Sequence, residues 1–254
     1  MKVQILKRSE MELEVLVEGI NAAFANGLRR TMISEVPTMC IEDVEVFENS
    51  SSLYDEMIAH RLGLIPLKTD LESYVLPEEC VCGGEGCSSC SLMFILDREG
   101  PGIVYSGDLQ SEDPRIFPVS DDIPIVELAE GERVRMECTA RLGRGLEHAK
   151  WQPGVISYKN LYEVKVPESC DPSVAERCKR GVLAAEDGRV VVVDTTRCNL
   201  CRVCQRYCPE IQIDVRPDVF IFKIESNGSL PADVIFLKAL DILESKAQEL
   251  SEKV

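Results

Sequence analysis

Cysteines 198, 201, 204 and 208, the last followed by Pro209, stand in the order Cys-x2-Cys-x2-Cys-x3-Cys-Pro. With this spacing one tight loop presents three thiolates to three irons of a [4Fe–4S] cube. Zinc ligands more often come as two separated pairs than as a triplet at three-residue steps, so iron–sulfur chemistry is the first reading and structural zinc the second. Each ligand must be deprotonated, and Arg197, Arg202 and Arg206, interleaved with the thiols, would offset the charge of a cluster with four cysteine ligands. In two-cluster ferredoxins the fourth cysteine of such a run serves the other cluster, so the fourth partner of Cys198, Cys201 and Cys204 should lie elsewhere. Cys178 is the natural candidate. A second cluster would need further thiols at three-residue steps from Cys170, and those steps land on Ser173 and Glu176. One cluster is therefore expected, which oxygen can degrade to a [3Fe–4S] form. Cys170 and Cys208 are left as the remnant of a second site. Their sulfurs could close a disulfide in air if the Cα atoms lie within about 7 Å; two unrelated buried thiols are the alternative.

A second group, Cys80, Cys82, Cys87 and Cys90, puts four thiols within a short stretch that also holds Gly83, Gly84 and Gly86, residues suited to the tight turns of a tetrahedral site. Structural zinc is the first reading here, and a flexible, partly oxidised loop the alternative, since Cys-x-Cys is a less usual zinc pair than Cys-x2-Cys. Ten of the twelve cysteines fall into these two regions, whereas Cys40 and Cys138 stand alone and read as small buried hydrophobes. In a reducing compartment such clustering indicates metal before disulfide. No Gly-rich phosphate loop, Gly-x-Ser-x-Gly or Asp-rich triad is present, and only His60 and His148 could act as histidine bases. A self-contained enzyme is not expected, and His60 reads as a packing or hydrogen-bonding residue.

The chain that must position these groups has 254 residues, 45% hydrophobic and 28% charged, which excludes intrinsic disorder and allows two domains or one with insertions. Its 28 Lys and Arg against 44 Asp and Glu leave a net charge of −16, so the chain as a whole is no polyanion-binding surface. No apolar run approaches the roughly 20 residues of a bilayer crossing, and the first residues carry no signal-peptide core. A soluble, cytoplasmic protein is expected.

Leu13, Val15 and Val17 alternate with acidic residues as a half-buried strand does. Ile20, Phe24, Leu28, Met32 and Val36 then recur at helical spacing, with Asn21 as N-cap and Pro37 as terminator. Strand sequence follows at 41–47 and a short helix at 54–62. From there to about 150 the chain reads as β-rich, with Val134, Met136 and Cys138 alternating with Arg135, Glu137 and Thr139. Residues 155–166 are strand-like, Pro167 opens the second cysteine-rich segment, and alternation returns at 219–224 before an Asn227-Gly228 turn. In the last helix Phe236, Leu240, Leu243, Ala247 and Leu250 form one apolar stripe, belonging either to the core or to a seam with a partner chain.

The stretch Asn21-Ala22-Ala23-Phe24-Ala25-Asn26-Gly27-Leu28-Arg29-Arg30, and then Asp55-Glu56-Met57-Ile58-Ala59-His60-Arg61-Leu62-Gly63-Leu64-Ile65-Pro66-Leu67, resemble the two signatures of the α-like subunits of cellular RNA polymerases. His148-Ala149-Lys150-Trp151 and Asn227-Gly228-Ser229 fit the same family, so the resemblance covers essentially the whole chain. With its ferredoxin-like insert the chain is similar to the archaeal members, counterparts of the bacterial α amino-terminal domain and of the eukaryotic third-largest subunit. The resemblance implies an α+β fold in three parts. These are a discontinuous dimerisation domain (1–44, 156–166 and 215–254), a β-rich domain (45–155) carrying the knot at 80–90, and an inserted ferredoxin-like Fe–S domain (167–214). It also implies a non-catalytic assembly subunit that pairs with the small subunit L, as the platform for the catalytic subunits of a DNA-directed RNA polymerase. Phe24 and Leu28 on the first helix and Phe236, Leu240 and Leu243 on the last are the expected interface. No direct base-specific contact with nucleic acid is expected. The competing class, a ferredoxin-like electron-transfer subunit of an oxidoreductase complex, would want a flavin or nicotinamide site, and none is visible.

Overall fold

The computed structural model describes residues 1–253. In chain order the strands and helices are β1 (Lys2–Arg8), β2 (Glu12–Glu18), α1 (Ala22–Ser34), β3 (Thr38–Asn49), α2 (Asp55–Gly63), β4 (Ser91–Glu99), β5 (Gly102–Tyr105), β6 (Gln110–Ser111), β7 (Pro124–Leu128) and β8 (Arg133–Gly143). There follow β9 (Gly154–Lys165), α3 (Val174–Arg177), β10 (Leu183–Glu186), β11 (Arg189–Val192), α4 (Val203–Tyr207), β12 (Gln212–Ser226) and α5 (Ala232–Lys253). This is a mixed α+β chain with several antiparallel sheets. It divides into two compact units. One gathers Met1–Arg8, Leu13–Arg29 and Ile156–Lys223; the other Ser9–Glu12, Arg30–Val155 and the chain from Ile224 on.

A four-stranded sheet of order β1-β2-β12-β9 organises the first unit. Alternation in β2 sends Leu13, Val15 and Val17 inward, as a period of two requires of a sheet with one covered face. In β12 Val219, Phe220, Ile221, Phe222 and Ile224 are buried, and Tyr158 of β9 meets Phe220 edge-on with ring centroids 5.7 Å apart. β12 begins earlier than the alternation at 219–224 suggests, and runs through Pro217, whose fixed φ suits extended chain. At the head of α1 the Asn21 carboxamide oxygen accepts the Phe24 N–H at 2.8 Å, which satisfies one of the orphan donors of the first turn. Between β9 and β12 the cysteine-rich segment forms the hairpin β10–β11 and two short helices. Asp187 and Gly188 make the hairpin turn with φ of 47° and 75°, the left-handed pair that matches strand twist.

The second unit is built on a sheet of order β3-β8-β4-β6, with β5 and β7 paired beside it. β8 pairs along most of its length with both β3 and β4 and sends Val134, Met136, Cys138 and Ala140 into the core. Phe94 and Leu96 from β4, Ile58 and Leu62 from α2, and Ile65 and Leu67 beyond it fill the same cluster. The Arg61 guanidinium holds α2 to β7 by donating to the Ile125 carbonyl at 2.6 Å. Trp151 is buried, with the cations of Arg141 and Lys150 each 4.5 Å from its ring centroid, and lies so close to Gly143 that a Cβ there would stand 2.3 Å from the ring.

The Asn227-Gly228-Ser229 turn leads into α5. Asn227 donates from its backbone to Pro153 O (2.9 Å) and from its carboxamide to Gln152 O (3.1 Å), while Ser229 O accepts the Thr69 N–H at 3.0 Å. Gly228 has φ +94°, and a Cβ on it would come within 2.3 Å of Val119 Cγ1. Gly228→Ala should therefore cost about 2 kcal/mol, from backbone strain and overpacking together, and lower the thermal midpoint by roughly 4–8 °C. Adding Val119→Ala should recover part of the loss in the same melting experiment; an unshifted midpoint in the single variant would show that the turn does not constrain the unit.

Candidate metal centres

The knot at 80–90 follows a single 3-10 turn (Pro77–Glu79) and leads directly into β4. Gly83, Gly84 and Gly86 all have positive φ, 68°, 88° and 88°, so the loop winds through a conformation that side chains with a Cβ resist. The Gly83 N–H bonds the Cys80 carbonyl and the Cys90 N–H the Cys87 carbonyl, both at 2.9 Å. Four sulfurs converge as a result. Cys80–Cys82 is 3.4 Å, Cys80–Cys87 3.5 Å, Cys82–Cys90 3.5 Å and Cys87–Cys90 3.9 Å. A tetrahedral ion with metal–sulfur bonds of ~2.3 Å sets its ligands ~3.8 Å apart, so the donor set fits one such ion in number, chemistry and spacing. Cys82 is pushed down to about 5, first by the N–H of Cys87 and then by the Cys80 thiol. Cys80 is pushed up to about 12: the N–H of Cys82 works against this, but the Cys82 sulfur and burial prevail. Among the described residues this is the group drawn to the spacing of a single metal ion.

The second set is arranged differently. Cys178 ends α3, Cys198 follows the 3-10 turn Thr195–Arg197, Cys201 lies in the loop and Cys204 in the first turn of α4. All four line one cavity, whose other walls are largely apolar and include Val164, Leu183 and Ile213. Leu200 and Arg202 adopt φ of 58° and 57°, uncommon for residues with side chains, and so wind the loop tightly around its thiols. These four sulfurs do not share single-ion spacing. Burial pushes the Cys204 thiol up, and the neighbouring Cys178, Cys198 and Cys201 add to it. Of the interleaved arginines, Arg202 lines the cavity and Arg197 is paired with Asp194 at 2.9 Å.

Two polar residues at this site carry no signal in the sequence motif. Arg180 lines the cavity beside Cys178. Lys159 of β9 donates to the carbonyls of Thr196 (2.6 Å) and Cys198 (2.9 Å), and burial lowers its pKa. Lys159 is one of two lysines in the strand-like run 155–166, and nothing else in the sequence marks it. Cys170 and Cys208 are joined in a disulfide with Cα atoms 5.8 Å apart, buried among Val174, Leu183 and Ile211. Cys40 and Cys138 are buried, and desolvation pushes both thiols up to about 12, which leaves them inert. His60 is exposed on α2, and His148 Nδ1 accepts the Lys150 N–H at 3.1 Å.

Residues 44–163 match the family model of the RNA polymerase Rpb3/RpoA insert domain. Over nearly its whole length the chain is 41% identical to DNA-directed RNA polymerase subunit Rpo3 of Methanosarcina acetivorans, covering 98% of this chain and 97% of that protein. It is 40% identical to the Rpo3 subunit of Archaeoglobus fulgidus (99% and 97% covered) and 42% to that of Pyrococcus horikoshii (97% and 95%). The chain belongs to the archaeal Rpo3 family of RNA polymerase subunits. For an Rpo3 chain the electron-transfer alternative falls away.

The signatures that carry the resemblance have structural reasons in this Rpo3 fold: α2 buries Ile58 and Leu62, and the Asn227 turn is bonded to Gln152 and Pro153. The residues expected at an interface are differently placed. Phe24 is 39% exposed, Leu28 is buried within the chain, and on α5 Phe236 is buried while Leu240 and Leu243 are half-buried. No helix among the described residues is long and apolar enough to cross a membrane.

The Cys170–Cys208 bond gives the first test at this site. An unreduced digest of air-exposed protein should contain a linked 170–208 peptide, which disappears on reduction; free thiols at both positions would contradict the pairing.

Proposed function

We propose that this Rpo3 chain is the scaffold on which a DNA-directed RNA polymerase assembles in the cytoplasm, pairing with the small subunit L to make the platform for the catalytic subunits. It contributes no catalytic residue to the nucleotidyltransferase reaction. The observation that carries this reading is the similarity to Rpo3 subunits across almost the entire chain. In this reading the dimerisation domain comprises 1–44, 156–166 and 215–254, the β-rich domain 45–155 and the ferredoxin-like domain 167–214. Phe24 on α1, and Leu240 and Leu243 on α5, offer apolar surface to the partner; Leu28 and Phe236 back them from within. The exposed Leu237 and Leu250 extend the apolar surface of α5 and support a helix that its own chain covers only in part.

Cys178, Cys198, Cys201 and Cys204 hold one [4Fe–4S] cluster, degraded by oxygen to [3Fe–4S], and Cys80, Cys82, Cys87 and Cys90 hold one structural zinc. The convergence of the first four on one cavity, and the 3.4–3.9 Å sulfur separations of the second, support these assignments. When bound, each group supplies cross-links between chain segments rather than reaction chemistry. The Gly-rich backbone of the knot and the left-handed residues of the cysteine loop present the thiols.

Two variants separate the roles. Leu240→Asp with Leu243→Asp should abolish co-purification with subunit L; full yield of the pair would place the interface elsewhere. Cys201→Ser should lower cluster iron while zinc and L binding stay at wild-type levels, read by metal analysis of anaerobically purified protein. Loss of L binding in that variant would contradict the separation of the cluster from the interface.

A further inference from the structure

The turn before Cys198 is closed on itself. The Asp194 carboxylate accepts the Thr196 N–H (2.9 Å) and the Thr196 hydroxyl (2.5 Å) and pairs with Arg197, while the Cys198 N–H donates to Thr195 O at 3.1 Å. Such a turn is locally rigid, yet its internal bonds do not determine where it sits. Lys159 supplies that link from the edge strand of the four-stranded sheet, its ammonium bridging the carbonyls of Thr196 and Cys198 at 2.6 and 2.9 Å. An ammonium has three donors and no acceptor, so it can hold two main-chain oxygens at once, and a cation strengthens both bonds.

We infer that Lys159 is the positioning residue of the iron–sulfur loop, fixing the main chain at Cys198 against β9 so that its sulfur faces the same cavity as those of Cys178, Cys201 and Cys204. The inference rests on the reading of these four as cluster ligands. Residues that orient a ligand act on metal retention without touching the metal, and their loss typically weakens it by 10–100-fold. Lys159 also brings a positive charge beside the first ligand, which favours the more negative, reduced state of a bound cluster. Its removal should therefore change two quantities. Cluster release should quicken, and the reduction potential should fall.

The test uses the full-length chain, loaded anaerobically with iron and sulfide. Lys159→Met should release iron to a chelator about 10-fold faster than wild type or more, and its cluster should be reduced at a lower potential. Lys159→Arg, which keeps the charge and the donors, should recover most of both. Lys179→Met removes an exposed lysine from the same surroundings that holds neither carbonyl, and should release iron at the wild-type rate. Should Lys159→Met fail to give folded protein, Lys159→Gln, with one amide donor group and no charge, carries the same comparison. A loaded wild type beside neutral Lys159 variants with unchanged release rate and potential would overturn the inference alone. A wild-type chain that takes up no iron and sulfide would overturn the reading beneath it.

Discussion

The segment from Pro167 to Ile211 has to remain folded with very little hydrocarbon of its own. Its buried cluster consists of Val174, Ala175, Val182, Leu183 and Ile211 with Val164 from β9, and the remaining places are taken by Cys170, Cys198 and Cys208. A core of this size falls below what holds an isolated small domain, which is where proteins use disulfides and metals as substitutes. The Cys170–Cys208 disulfide is thus a support the insertion can use. The disulfide ties its two ends, and the four thiols that line one cavity come from α3, α4 and the loop between them, so a metal group held there would cross-link the same segments.

The second unit answers the same requirement by burial. Its core gathers side chains from α2, β3, β4, β7 and β8, so its sheet needs no covalent support. The knot at 80–90 is the exception, an excursion between the 3-10 turn at 77–79 and β4. Its exposed Val81 and three left-handed glycines give it little hydrophobic reason to close. Both sets of thiols therefore stand in segments that have little hydrocarbon core of their own.

Much of this is legible from residue types. The Asn21 cap, the alternation of β2 and β8, and the glycine-rich turns of the knot each follow from a local rule about backbone geometry, and local rules can be read along the sequence. The stripe on α5 is less fully legible. Spacing joins Phe236, Leu240, Leu243, Ala247 and Leu250, but the face buried in the chain is Ala232, Ile235, Phe236 and Ala239, while Ala247 and Leu250 are exposed. Periodicity identifies an apolar face and leaves open which part of it the chain covers itself. Lys159 lies beyond sequence reasoning for another reason: its partners are backbone carbonyls nearly forty positions on, and only the path of the chain brings them together.

The central claim, that bound metal holds the inserted segment while the rest of the scaffold stands without it, is most directly tested by hydrogen exchange. The anaerobically purified chain would be compared before and after chelation of its iron, with the disulfide state held constant. The account predicts that amides of α3, α4, and the β10–β11 hairpin lose protection, while those of the β3-β8-β4-β6 sheet keep theirs. Protection of the inserted segment that survives complete iron removal would contradict it.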